Sequence, residues 1–397
     1  MQINTDGFEY LAGDGRILNN MSGVPVRPVF SDQAVSFLSA LSKELLADRR
    51  AREYPDVMSY AYWIRRASLE KEKMQQSDRS SRIGRGTAFH IAPSNVPVNF
   101  AVSMASSVLA GNATMIRLSD KRSEQADMIC SAMNRLLGQA EHAGMKPYFS
   151  LFRYAHDEAV TRSLSAVCDV RVVWGGDRTV ETIRRAPLPP RAVELTFADR
   201  HSIALIHADE YLRLDAAETA RGFYTDTYYT DQNACSSPRL VVWLGEHKKE
   251  ARKRFWAALH EIVRKEYPLK PIQAVDKYAK FCRIGMKTEG VRLIADDNYM
   301  IRVETDHLTG ALMDDKSGSG YFFEYEAESL SDILPVLNKQ CQTVSVLGIA
   351  QGDVRDLVFT HGVRGVDRIV PLGRTMELGF VWDGYRMIEA MSRVVYL

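Results

Sequence analysis

Between Thr87 and Ile206 the chain repeats one pattern: a short apolar run, a turn, then an amphipathic stretch. Apolar runs fall at Thr87–Ala92, Ala113–Leu118, Tyr148–Phe152, Val170–Trp174, Ala192–Phe197 and Ser202–Ile206. Between them, helices are predicted over Asn99–Ala110, Ser123–Glu141 and Asp157–Val167, and from Arg178 onward. In the second, Ile129, Met133, Leu136 and Ala140 align on one face. Alternation of this kind, with strands apolar on both sides, predicts a parallel sheet covered by helices on both faces. The fold class is therefore α/β, with a doubly wound, Rossmann-type first domain.

Ahead of it, Val35, Leu38, Leu41 and Leu45 mark a helix for which Ser31 is the candidate N-cap, and a second helix follows Pro55. The first thirty residues show no clear period and read as strands and loops. Beyond Asp209 a second α/β unit is predicted. Its helices are Leu212–Tyr229, Lys248–Lys265 and one from Ser329. Its strands are Leu240–Leu244, Tyr299–Val303, Tyr321–Tyr325 and Thr343–Ile349. The expected division is residues 1–208, joined by 356–397, against a catalytic domain over 209–355.

A chain of 397 residues has ample core for two such units. The net charge of +1 argues against a nucleic-acid binder, which needs a basic excess. The longest apolar-leaning stretch, Val96–Ala110, is too short and too rich in Ser to span a bilayer. The start MQINTDGFEY lacks a basic stretch followed by an apolar one, so no signal peptide is expected. Five cysteines, an odd number without a CxxC pair, suit a reducing compartment and predict a cytoplasmic protein. No His pair has ligand spacing, so no metal site is expected.

Four segments carry candidate chemistry. In Thr230-Asp-Gln-Asn-Ala-Cys235-Ser-Ser-Pro-Arg239 a thiol sits in a polar turn just before a strand. A thiol so placed is either a nucleophile or a buried structural cysteine. Cys130, Cys168, Cys282 and Cys341 have apolar neighbours and read as structural. In Pro93-Ser-Asn95-Val-Pro97 a rigid loop leaves the carboxyl end of a strand, where α/β ligands bind, and it offers the Asn95 amide as a donor. Gly175-Gly176-Asp177 joins a strand to a helix, a place where backbone approaches phosphate. Arg117, Ser119, Lys121 and Arg122 close another strand with three cations, suited to a ribose 2′-phosphate. Each of the last three also reads as an ordinary turn or solvated loop.

Taken together, these segments resemble the aldehyde dehydrogenase superfamily in order and spacing. Pro93-Ser-Asn95-Val-Pro97 resembles its Pro-x-Asn-x-Pro loop, which supplies an oxyanion-hole Asn. Leu109-Ala-Gly111-Asn112 with Ile116-Arg117-Leu-Ser119 resembles its ribose-contacting strand, with Arg117 where Lys is usual. Gly175-Gly176-Asp177 is similar to its Gly-Ser turn, and Pro371-Leu-Gly373 to its late Pro-x-Gly-Gly, with Arg374 for the second Gly.

A narrower resemblance is to the LuxC-type acyl-CoA reductases of bacterial bioluminescence. It rests on Asp231-Gln232-Asn-Ala234-Cys235-Ser236-Ser237-Pro238, on Trp382-Asp383-Gly384, and on Ser392-Arg393-Val394-Val395. The resemblance implies Cys235 as nucleophile, Asn95 as oxyanion donor, and NADPH held by Arg117, Ser119, Lys121, Arg122, Gly175, Gly176 and Asp177. It implies an acyl-CoA or acyl-protein thioester substrate, an acyl-protein synthetase as possible partner, and a homo-oligomer. The hydrolytic relatives carry a Glu-Leu-Gly-Gly segment whose Glu activates water. Here the stretch reads Glu194-Leu-Thr-Phe-Ala198-Asp199, which favours thioester reduction and leaves Glu194 and Asp199 as accessory candidates. A hydrolytic or phosphorylating dehydrogenase and a non-catalytic acyl-carrying subunit are the alternatives.

Overall fold

A computed structural model describes residues 2–76, 78–314 and 318–396. The chain divides into two compact units, Met1–Ala198 with Leu378–Leu397, and Asp199–Glu377.

The first unit carries a six-stranded sheet of β1 (Glu9–Ala12), β2 (Thr87–Ile91), β3 (Ala113–Arg117), β4 (Phe149–Arg153), β5 (Val170–Trp174) and β6 (Val193–Phe197), in the order β1-β4-β3-β2-β5-β6. All neighbours are parallel except β1, which runs antiparallel to β4. Helices Asn99–Leu109, Glu124–Leu137, Glu158–Ala166 and Asp177–Arg184 follow β2 to β5, close to their expected bounds. Strands β2, β4 and β5 are buried at every position, as double coverage requires. The early helix is Asp32–Ala47, but Ser31 makes no capping bond and its hydroxyl is buried without a partner. The first thirty residues also hold a helix, Gly15–Asn20, capped by Asp14, where none was expected.

The second unit holds a seven-stranded sheet. Its strands are β7 (His201–His207), β8 (Pro238–Leu244), β9 (Val291–Ile294), β10 (Ile301–Thr305), β11 (Tyr321–Glu326), β12 (Cys341–Leu347) and β13 (Arg368–Pro371), in the order β9-β10-β11-β8-β7-β12-β13. Separate apolar clusters cover its two faces. Strand β7, expected in the first domain, lies inside this sheet, between β8 and β12. The division therefore falls at 198/199 and 377/378 rather than 208/209 and 355/356. A strand's apolar run does not say which sheet it will join.

Several local expectations changed. The helix expected over Leu212–Tyr229 is broken into Ala208–Leu212 and Ala216–Asp226, the latter capped by Asp215. The one from Ser329 is a 3-10 helix, Leu330–Val336, containing Pro335. Helix Pro271–Gly285 was not foreseen. After residue 377 the chain returns to the first unit. Asp383 and Gly384, both with positive φ, turn a two-residue hairpin between Val381–Trp382 and Tyr385–Arg386. Ser392–Val394 then pairs with Arg82–Gly84.

Candidate active site

The Cys235 turn is built by its own side chains. Asp231 and Gln232 take consecutive left-handed conformations, with φ of 53° and 58°. Non-glycine residues adopt these uncommonly, Asp more readily than Gln, so Gln232 in particular needs its surroundings to hold it there. Gln232 is wholly buried, and its amide is fully used. Nε2 donates to the carbonyls of Pro238 (2.9 Å) and Tyr321 (3.1 Å). Oε1 accepts from the N–H groups of Gly320 (3.1 Å) and Tyr321 (3.2 Å). Asp231 accepts from the Tyr267 hydroxyl at 2.7 Å. The Lys277 ammonium, buried, donates to the carbonyls of Asn298, Tyr299 and Ser319, and the Ser319 N–H reaches back to the Asp231 carbonyl. The specificity of the Asp-Gln-x-Ala-Cys string thus has a structural cause: Gln232 pins the turn to β8 and β11.

Cys235 itself is half-buried. Its carbonyl accepts from the Ser202 hydroxyl at 2.7 Å, and its sulphur accepts from the Gln342 Nε2 at 3.1 Å. The Arg239 and Arg368 guanidiniums both interact electrostatically with it. Burial pulls each below its ordinary range, and Cys235 is among the groups that pull it back. Coulomb interaction is reciprocal, so both cations favour an anionic sulphur. Burial pushes the thiols of Cys130, Cys168 and Cys341 up to about 12. Cys282, expected to be structural, is exposed on helix Pro271–Gly285.

The late Pro371-Leu-Gly373 turn belongs to the same unit. Gly373, with φ of 89°, packs so closely on Gly222 that a Cβ would lie 3.1 Å from the Gly222 Cα. Asp226 accepts from the N–H groups of Gly373 (2.6 Å) and Thr375 (2.9 Å). Burial pushes its carboxyl up to about 6, outweighing those bonds and Arg368. The folded carboxyl therefore binds its proton more tightly than the unfolded one. Its stabilising contribution is complete below the ordinary carboxylate range and is lost as pH rises through about 6. Between pH 4 and 7 the native protein should lose about 2–3 kcal/mol relative to Asp226→Asn. Urea midpoints of the two proteins across that range check this; parallel pH curves would refute it.

In the first unit, Asn95 sits exposed on the bend between β2 and helix Asn99–Leu109. A cleft there is lined by Pro93, Ser94, Pro97, Ser119, Lys121 and Arg153. The three cations of this segment are not equivalent. Arg117 pairs with Asp120 (3.7 Å) and lies over the Tyr154 ring, and Arg122 pairs with Glu9 (2.9 Å). Among the described residues Lys121 is in no ion pair, and it lines the cleft. Gly111 and Asn112 lie at the other end of β3. The Asn112 amide is buried and bonds the N–H groups of Arg85 and Gly86 and the Met391 carbonyl, a structural role. Gly176 caps helix Asp177–Arg184 without a side-chain bond, and a Cβ on Gly175 would meet Thr179 at 2.9 Å. A helix start without a side-chain cap and with bare backbone before it, and Lys121 with Ser119 in a cleft, suit a phosphate-bearing dinucleotide. Glu194 is committed elsewhere: it bridges Arg171 (2.5 Å) and Arg184 (2.7 Å).

The family model described as "Acyl-CoA reductase (LuxC)" matches residues 52–394. The chain belongs to the LuxC acyl-CoA reductase family. Curated relatives named long-chain acyl-protein thioester reductase include those of Aliivibrio fischeri and Photorhabdus luminescens. The first is 27% identical over 333 residues, covering 78% of this chain and 64% of the relative. The second is 23% identical over 321 residues, covering 77% and 62%. This LuxC-family chain thus spans somewhat under two thirds of the length of those relatives.

Solved structures give the fold. Aldehyde dehydrogenase 21 from Physcomitrella patens superposes with a TM-score of 0.67 at 10% identity, covering 91% of this chain and 84% of that one. Lactaldehyde dehydrogenase from Escherichia coli gives 0.65 at 15% identity, covering 96% and 89%. The fold of this LuxC-family chain is that of the aldehyde dehydrogenases. No helix among the described residues is long and apolar enough to cross a membrane.

Sequence reasoning missed Gln342, Asp226 and Arg368. Gln342 and Asp226 stand in plain strand and helix sequence with no local signal. Arg368 precedes the Pro371-Leu-Gly373 turn, and the resemblance gives it no role; Arg239 only closes the cysteine string.

Proposed function

We propose that this chain reduces an acyl thioester, carried by CoA or by a protein, to an aldehyde with NADPH through an S-acyl intermediate on Cys235. The observation that carries the reading is the contrast among the thiols. Cys235 stands half-buried beside two guanidiniums on a rigid turn, while three others are sealed in apolar surroundings. The Cys235 sulphur attacks the thioester carbonyl carbon, and the new carbon–sulphur bond replaces the old one as the donor thiolate leaves. By the family resemblance, the Asn95 amide and the Cys235 N–H would be the donors to the developing oxyanion, of a type worth about 3–4 kcal/mol of barrier. Bound NADPH would supply the hydride that reduces the acyl carbon. Ser119, Lys121 and the Gly175-Gly176-Asp177 turn would hold it, with Arg117 and Arg122 nearby. The missing Glu-Leu-Gly-Gly and the doubly paired Glu194 favour reduction over hydrolysis.

The test has two parts. Incubation with acyl-CoA alone should add one acyl mass to the peptide containing Cys235, and NADPH should discharge it as aldehyde. Free fatty acid in place of aldehyde would overturn the reading.

The cofactor arm is tested without turnover. NADPH should raise the melting temperature more than NADH does, since a ligand stabilises the form it binds. Lys121→Glu should remove the difference while leaving the NADH shift in place. An undiminished NADPH preference in that variant would remove Lys121 from the 2′-phosphate site.

A further inference from the structure

Two irregularities in the second sheet coincide at one residue. On one side of β7, Ser202 pairs with Pro238 and Ile203 with Leu240, so Arg239 is the extra residue of β8. On the other side, His201 pairs with Cys341 and Ser202 with Thr343, so Gln342 is the extra residue of β12. Both ladders are parallel, where bulges are rare, and a bulge re-aims a side chain. Both re-aimed residues interact with one atom. The Gln342 amide donates to the Cys235 sulphur at 3.1 Å, and the buried Arg239 guanidinium acts on it electrostatically. The orientation of the Gln342 amide is set by Thr343, whose hydroxyl donates to Oε1 at 3.3 Å and leaves Nε2 for the sulphur. Ser202 ties the cluster together: its hydroxyl donates to the Cys235 carbonyl and accepts from the Thr343 N–H at 3.2 Å. The Arg239 Nε is buried with no hydrogen-bond partner, so its charge is not spent on a fixed carboxylate bond there.

We propose that the paired bulges exist to present Gln342 and Arg239 to Cys235, holding its sulphur as a thiolate aimed for attack. Gln342 is then a catalytic residue in direct contact with the reacting atom, and Arg239 a positioning residue that supplies charge. This rests on the reading of Cys235 as nucleophile. A neutral amide is the right partner for such a sulphur. It donates to the anion without itself taking the proton, and it adds no negative charge when the donor thiolate departs. The other charged groups nearby, among the described residues, are Arg368 on β13, Asp199 acting on Arg239, and Glu377, Asp226 and Arg374 acting on Arg368. His201 adds no charge near neutrality, since burial holds it down to about 4.

The test is the pH dependence of alkylation of Cys235 by iodoacetamide in the intact folded protein, read on the Cys235 peptide by mass spectrometry. Exposed Cys282 in the same sample is the internal reference. In the native protein the Cys235 midpoint should lie below that of Cys282. Gln342→Met keeps the bulk and loses the donor. It should raise the Cys235 midpoint by about one pH unit and slow alkylation at pH 7 about tenfold. Gln342→Glu should raise it further, and Arg239→Met should raise it where Arg239→Lys largely restores it. A native midpoint at or above that of Cys282, or midpoints unmoved by both Gln342→Met and Arg239→Met, overturns the proposal, and the native comparison stands even if a variant fails to fold. Alkylation needs neither thioester nor NADPH. An acyl adduct on Cys235 with unmoved midpoints therefore sinks this inference alone, whereas absence of the adduct sinks the function it rests on.

Discussion

Cys235→Ala should lose acyl labelling and NADPH-dependent aldehyde formation together, with the rate falling by roughly four orders of magnitude or more. Losses of that size follow removal of a covalent nucleophile, because the surviving donors have no attacking atom to act with. The fold should survive. Cys235 is only half-buried, and the turn is held by Gln232, Asp231 and Ser202 rather than by the thiol. The melting temperature of the variant should therefore stay within about 2 °C of native. Labelling must be resolved by peptide, since exposed Cys282 will react with general thiol reagents. Turnover above about 1% of native would assign the chemistry to another residue.

The largest stability effect is expected at Glu324 on β11. Its carboxylate is almost wholly buried, 1% exposed, and collects five donors. The indoles of Trp243 (3.0 Å) and Trp256 (2.5 Å) and the Arg252 Nε (3.2 Å) meet one oxygen. Arg252 and Arg302 meet the other, each at 3.2 Å. Truncation by Glu324→Ala leaves two guanidiniums and two indole N–H groups without that acceptor. Breaking a buried pair from one side costs about 3–5 kcal/mol, because the remaining charge stays buried. Arg252 retains Glu304 and Glu326, which limits the loss to the lower part of that range. At about 2–4 °C per kcal/mol the melting temperature should fall by roughly 10 °C. Calorimetry checks this, and a fall under about 2 °C would show that the cluster is not coupled to unfolding.

The strand–helix alternation between Thr87 and Phe197 was legible because double burial writes continuous apolar runs into strands. Five of the expected strands lie within a residue of their observed bounds. The sixth, at His201–His207, was legible as a strand but not as a member of the second sheet. The choice of sheet depends on partners distant in sequence. Among the cations, residue type marked only a candidate phosphate site, and the positions of Glu9, Asp120 and Tyr154 set Lys121 apart from Arg117 and Arg122.

The sequence alone determined the α/β class, the superfamily resemblance and Cys235 as candidate nucleophile. Each depends on local pattern or on a contiguous string, and both survive in one dimension. Only the tertiary structure decided what surrounds the sulphur. Gln342 lies 107 residues beyond Cys235, and it reaches the thiol because a bulge against Ser202 shifts β12 by one residue. A bulge is an offset between two strands, so neither strand's sequence contains it.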